Sequence, residues 1–185
     1  EVSLNASSTL VYNKNNWKNN RLVNLEGEAF FKVAKGSTFD VKTNDGVVRV
    51  LGTQFNVNQR DDYFEVICYE GLVGVFYSNN KQLKLNPGDR FLVIDGEVIL
   101  KPKVNTNQPD WIVNESQFES MPYAHVLAEF ERQYNVTFDT IDINLKQLFS
   151  GNFSHENYQI AIKAITLPLN LTYRRDNNII TLKSE

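Results

Sequence analysis

Two stretches of the chain match each other without a gap at an offset of 35 residues. Phe118, Tyr123, Leu127, Phe130, Tyr134 and Asn135-Val136-Thr137-Phe138 align with Phe153, Tyr158, Ile162, Ile165, Leu169 and Asn170-Leu171-Thr172-Tyr173. Apolar positions fall on apolar positions, and Asn-x-Thr recurs at the same place. Self-similarity at a fixed period means that one supersecondary unit is built twice. In each copy a short run ending in Phe118 or Phe153 leads into a helical pattern. In the first, Tyr123, Val126, Leu127, Phe130 and Tyr134 share one helical face, and Pro122 stands where a missing N–H costs nothing. In the second, Asn157 is a good N-cap, Tyr158, Ile162, Ile165 and Leu169 form the stripe, and Pro168 stops the helix at about Thr166 or Leu167. Strands Val136–Asp139 and Leu171–Arg174 follow, and Asp176-Asn177-Asn178 turns the chain into a last strand, Ile179–Lys183. The expectation is two β-α-β units packing both helices on one face of a small sheet. Tyr134/Leu169 and Phe138/Tyr173 are expected to be equivalent core positions.

The first hundred residues follow a different pattern. Short apolar-alternating runs are separated by turn signals, and no helix is expected. Asp45-Gly46, Asn79-Asn80 and Asp95-Gly96 are candidate hairpin turns, and Asn86-Pro87-Gly88-Asp89 is a strong one. Asn13–Asn20 reads as an exposed loop. Many short strands at this spacing predict a sandwich or β-roll. Pro102 and Pro109 bracket a polar stretch with little to bury. The fold class is therefore α+β: an all-β domain over 1–101, a linker over 102–110, and a β-α-β repeat domain over 111–185.

With 42% apolar and 12% aromatic residues the chain has the composition of a folded protein. Its net charge of −3 and lack of a basic, aromatic-interleaved cluster argue against nucleic acid. No apolar run reaches the ~20 residues of a membrane span, and no signal peptide is visible. The chain starts inside what reads as a strand, so it is expected to be a piece of a longer protein. Cys68 is the sole cysteine, in a strand-like run, and reads as a buried small hydrophobe.

Candidate chemistry is sparse. His125 and Glu129 are an i, i+4 pair without further ligands for a metal, and a helix-surface hydrogen bond or ion pair is the expected role. His155-Glu156 lacks the second histidine of a zinc-protease helix. Glu26 and Glu28 would share one strand face at about 6–7 Å, a spacing two glycosidase carboxylates could use, although adjacent carboxylates on a solvated strand face are far commoner. With Trp17 they support an alternative function, a carbohydrate-binding or carbohydrate-active β-domain. Ser7-Ser8 and Ser37 have no nucleophile motif around them. Asn-x-Ser/Thr occurs at Asn5, Asn114, Asn135, Asn152 and Asn170, as expected by chance in so Asn-rich a chain. Neither a catalytic group, a metal nor a cofactor is expected.

Several runs occur in one order: Leu4–Tyr12 (LNASSTLVY), Leu25–Val33 (LEGEAFFKV), Phe39–Thr43, Val50–Val57 (VLGTQFNV), Glu70–Val73 and Leu85–Gly88. This series resembles FecR-type anti-sigma regulators. The last third, with Trp111, Phe118, Met121-Pro122 and Phe149–Phe153, resembles the second part of the family as found in Bacteroidetes. The resemblance implies the periplasmic region of a single-pass inner-membrane protein. A cytoplasmic domain absent from this chain would restrain an extracytoplasmic-function sigma factor. The periplasmic part would receive a signal from the signalling domain of a TonB-dependent outer-membrane receptor. The repeat would resemble the short domain at secretin and TonB-receptor N-termini, and no catalytic residues carry over. Asp139-Thr140-Ile141 also fits a short O-glycosylation sequon of secreted Bacteroidetes proteins, with Thr140 as the acceptor. A partner strand would add to an exposed edge of the small sheet. The candidate residues are Leu171, Tyr173, Arg174, Arg175, Ile179 and Thr181, although keeping an exposed strand soluble is the favoured reading of Arg174-Arg175.

Overall fold

The computed structural model describes residues 1–78, 81–99 and 101–184. The chain divides into two compact units, Glu1–Pro109 and Asp110–Glu185.

In the first unit the alternating runs become β1 (Val2–Leu4), β2 (Thr9–Tyr12), β3 (Leu22–Lys32), β4 (Phe39–Lys42), β5 (Gly46–Val50), β6 (Gln54–Arg60), β7 (Tyr63–Glu70), β8 (Val73–Tyr77), β9 (Lys81–Leu85), β10 (Arg90–Ile94) and β11 (Glu97–Ile99). They form one curled sheet in the order β11-β10-β7-β6-β3-β4-β5-β8-β9, with β1 and β2 also on β3. The eleven-residue β3 joins two halves. Its start pairs in parallel with β4 and its end antiparallel with β6. Alternate residues of both halves, among them Val23, Phe31, Val41, Val48, Phe55, Val66, Val75 and Phe91, meet in one buried cluster, where Phe31 stacks on Phe55 with ring centres 5.0 Å apart. That is what period-two alternation requires of a sheet with one face turned inward. The α+β class stands.

The turns behave as their residues dictate, with one difference. Asp95 and Gly96 both take positive φ, the geometry of a two-residue hairpin. In Asn86–Asp89, Gly88 has φ +84° and the Asp89 N–H donates to Asn86 O at 2.9 Å. The hairpin at Asp45-Gly46 does not rest on a left-handed glycine. The Thr43 hydroxyl accepts both the Asp45 and the Gly46 N–H, at 3.3 and 3.1 Å. Asn79-Asn80 lies outside the described residues. Between Lys14 and Asn16 the exposed Asn-rich loop makes one 3₁₀ turn capped by Asn13. The polar stretch after β11 returns to the Asn86–Asp89 turn. There Val104 N–H reaches Gly88 O at 2.9 Å, and the Lys103 ammonium meets Asp89 at 2.8 Å.

The second unit runs β12 (Glu115–Pro122), α1 (Tyr123–Tyr134), β13 (Thr137–Ile141), β14 (Leu148–Ser154), α2 (Tyr158–Thr166), β15 (Leu171–Asp176) and β16 (Ile179–Ser184). The strands do not form the single small sheet expected. β12 pairs with β14, and β13-β16-β15 form a separate three-stranded sheet. The repeat explains the division. β12 and β14 are the leading strands of the two copies, and they pair antiparallel with Gln117 opposite Asn152. Those two residues are themselves 35 apart, so a local two-fold axis passes between them. A two-fold puts equivalent strands antiparallel, and the last strand, β16, enters between the trailing strands β13 and β15.

Helix α1 buries Tyr123, Val126, Leu127 and Phe130, and α2 buries Ala161, Ile162 and Ile165. The duplicated Asn-x-Thr also has a conformational cause. Asn135 and Asn170 take left-handed φ of 51° and 52° and end the α1 helix and the 3₁₀ turn after α2. Asparagine is the side chain, after glycine, that adopts this region most readily. Tyr134, Leu169, Phe138 and Tyr173 are half-buried rather than core. The buried equivalents are Leu127 with Ile162 and Phe130 with Ile165.

Candidate interaction surface

The three-stranded sheet has two edges, β13 and β15. Ile179 and Thr181 lie on β16, which is paired on both sides, so the expectation that 179–181 forms an open edge does not hold. The hairpin register explains why: Asp176 pairs with Ile179 across the Asn177-Asn178 loop, which folds β16 back against β15 and in parallel against β13.

Register assigns each candidate side chain to a face. Ile180 and Leu182 are fully buried, so their partners Arg175 and Tyr173 point to the helix side. There the Arg175 guanidinium stacks over the Tyr158 ring at 4.4 Å from its centre, and its Nε donates to Asn177 O at 2.7 Å. Burial pushes the Tyr158 hydroxyl pKa up, and the charge of Arg175 works against that shift. Tyr173 meets Gln159 at 3.5 Å, and Leu171 is buried. Arg174 lies opposite Thr181 on the other face, with Ile179, which is 50% exposed, one row along. The six candidates therefore split into Leu171, Tyr173 and Arg175 on the helix side and Arg174, Ile179 and Thr181 on the open face. Thr140 shares the helix side on β13, opposite buried Leu182, and its side chain is half-buried.

Several polar groups elsewhere are engaged internally. Gly27 has φ +106°, and a Cβ there would stand 2.6 Å from the Ser8 hydroxyl. Alternation continues through Gly27, since Val23, Leu25, Ala29 and Phe31 all reach the core, but Asn5 and Asn56 close over Glu28, so Glu28 is buried while Glu26 is exposed. The two Glu28 carboxylate oxygens accept from Asn5 Nδ2 and Asn56 Nδ2, each at 2.7 Å. Glu26 and Glu28 thus have no common solvated face on which to act as paired carboxylates. Trp17 packs edge-on against Tyr12 and Phe39 and is half-buried. In the second unit, buried Glu129 accepts from Arg132 and Gln133, and the Ser116 hydroxyl lies 2.9 Å from His155 Nε2. Burial lowers the His155 pKa, against the pull of Glu129 and Glu115. Ser116 also bonds Glu129 directly, at 3.5 Å, so the imidazole is not interposed between hydroxyl and carboxylate as a relay requires. No cluster of three or more His, Cys, Asp or Glu suited to a metal occurs among the described residues. Nor is any helix among them long and apolar enough to cross a membrane.

Sequence reasoning missed one residue at this surface. The Glu131 carboxylate accepts the backbone N–H of Phe138 at 2.6 Å, on the β13 edge. The only signal for it was the repeat itself, which matches Glu131 with Thr166.

The chain matches the family model described as "FecR protein" over residues 1–74 and the one described as "FecR, C-terminal" over residues 116–182. Two crystal structures of a candidate anti-sigma factor from Parabacteroides distasonis ATCC 8503 superpose with TM-scores of 0.89 each, at 27% and 28% identity. Each covers 100% of this chain, which spans 90% and 89% of theirs. Among curated proteins the chain has no significant match.

Proposed function

Because the chain belongs to the FecR family of anti-sigma factors, we propose that it is the periplasmic signal-receiving region of a single-pass inner-membrane regulator. It takes its signal from the signalling domain of a TonB-dependent outer-membrane receptor. A cytoplasmic domain outside this chain passes that signal to an extracytoplasmic-function sigma factor. The chain acts by protein–protein contact and performs no catalysis. The family is regulatory rather than catalytic.

The observation that carries this reading is the exposed edge of the three-stranded sheet. Leu171, Tyr173, Arg174 and Arg175 lie along β15, an edge strand paired on one side only, while Glu28, Glu129 and His155 are occupied within their own units. The open side of an edge strand offers a row of main-chain donors and acceptors to another protein, and side chains on its two faces supply selectivity. Ile179 and Thr181 add an open face beside that edge. In cells carrying the full-length regulator and a reporter driven by its sigma factor, Arg174→Glu should abolish the response to the receptor's inducer with protein level unchanged. A variant that responds like the unaltered protein would remove the sheet from the signal path.

A further inference from the structure

The two edges of the three-stranded sheet are equivalents in the repeat, yet they are chemically different. Hydrogen-bond direction follows from two facts. Thr137 N–H donates to Asn178 O at 2.8 Å, so even-numbered residues of β16 face β13. The odd-numbered ones therefore face β15, as the two-residue Asn177-Asn178 loop also demands by making Asp176 and Ile179 a hydrogen-bonded pair. It follows that Leu171, Tyr173 and Arg175 turn their N–H and C=O groups outward on β15. On β13 the outward residues are Phe138 and Thr140.

Phe138 and Tyr173 are 35 residues apart, the same place in the two copies. At Phe138 the outward N–H is taken by Glu131. The residue equivalent to Glu131 is Thr166, which is buried and whose hydroxyl donates back to Ile162 O at 2.8 Å. Among the described residues Tyr173 therefore has no counterpart of the Glu131 plug. An inserted carboxylate is one of the ways sheets protect an edge from pairing. Among the described residues only one of the two edges is protected in this way.

Charge divides along the same line. Residues 115–149 carry six acidic side chains against two basic ones, and residues 150–184 carry two acidic against four basic. Arg174 stands on the open face of β15, and Arg175, held over Tyr158, on the helix face. A strand laid outside β15 meets a cation on each of its faces. A second copy of β15 would bring two more arginines to the same seam, and like charges placed opposite each other are destabilising.

We propose that β15 is the docking edge of this unit, that its occupant is an extended acidic segment of a different protein, and that Glu131 reserves β13 against the same use. The proposal rests on the reading that this unit receives a protein partner, and it names the edge and the partner's chemistry.

The test uses the full chain, isotope-labelled for NMR, and two short end-blocked peptides, one alternating glutamate with valine and the other lysine with valine. The glutamate peptide should shift the amides of Leu171, Tyr173 and Arg175 and bind at least about tenfold more tightly than the lysine peptide. Tyr173→Pro, which deletes an outward N–H and so spares the ladder, should abolish that binding, while Thr140→Pro leaves it intact. Should the proline variant fail to fold, Arg174→Glu serves instead and should reverse the preference between the peptides. Shifts centred on Phe138 and Thr140, equal affinity for both peptides, or no binding of either would overturn the proposal. The signalling domain of the cognate receptor separates the two ideas. Its undiminished binding to the Tyr173→Pro variant overturns the edge assignment and leaves the function standing. Peptide binding without domain binding overturns the function and supports the edge assignment.

Discussion

Replacing Glu28 by alanine removes the acceptor for two buried amide donors, Asn5 Nδ2 and Asn56 Nδ2, both at 2.7 Å. Asn5, Glu28 and Asn56 are 8%, 6% and 1% exposed, so water does not readily replace the lost bonds. Each orphaned donor costs about 1–3 kcal/mol, which puts Glu28→Ala at about 3–5 kcal/mol, a large share of a domain's usual ~5–15 kcal/mol. Glutamine at the same place behaves differently. One of its two terminal atoms remains an acceptor, and the new NH₂ faces an amide donor. Asn56 Oδ1, however, has no partner among the described residues, so turning that amide over restores a donor–acceptor match. Glu28→Gln should therefore cost about 1 kcal/mol. Urea unfolding followed by circular dichroism measures both, and hydrogen exchange of the β3 amides assigns the loss to the first unit. A Glu28→Ala cost below about 1 kcal/mol, or equal costs for both variants, would refute a structural role for this carboxylate.

Three further outcomes are expected. Burial lowers the His155 pKa from 6.5, so the unfolded chain takes up its proton first as pH falls. Stability of the second unit should be level above about pH 6.5, fall below it until the folded pKa is passed, and lose that dependence in His155→Gln. The Cys68 thiol, pushed up to about 11 by burial with Asp89 adding to the shift, should resist a disulfide reagent at mildly alkaline pH and react once the chain is unfolded. Asn135→Ala and Asn170→Ala should each lose about 1 kcal/mol in thermal unfolding, while the glycine variants equal or exceed the parent. Equal melting temperatures for all four would contradict the left-handed role of these asparagines.

The sequence conveyed periodicity well and neighbourhood poorly. Helices α1 and α2, their Pro122 and Asn157 starts and the Asp95-Gly96 hairpin were legible because each depends on residues close in sequence. Which strand lies beside which is decided by burial across the chain. Ile179–Thr181 carries the same alternation whether it lies at an edge or in the middle, and only the parallel pairing of β13 with β16 places it centrally. Glu26 and Glu28 read as one solvated face because alternation gives the face but not what covers it, and Asn5, 23 residues away in sequence, closes over Glu28. Glu131 was illegible for a related reason: its role depends on the position of Phe138 at an edge, which the tertiary fold creates. The repeat nonetheless held the clue, since a two-fold pair that differs at Glu131 and Thr166 must have two unequal edges.

Reception of a receptor's signal is the central role proposed for this chain. Titration calorimetry of the full chain with the signalling domain of the TonB-dependent receptor proposed as its partner tests that role directly. A saturable one-to-one heat with a Kd of about 1 μM or tighter, weakened by Arg174→Glu, is the predicted result. No heat of association at high micromolar concentrations of both proteins would contradict it.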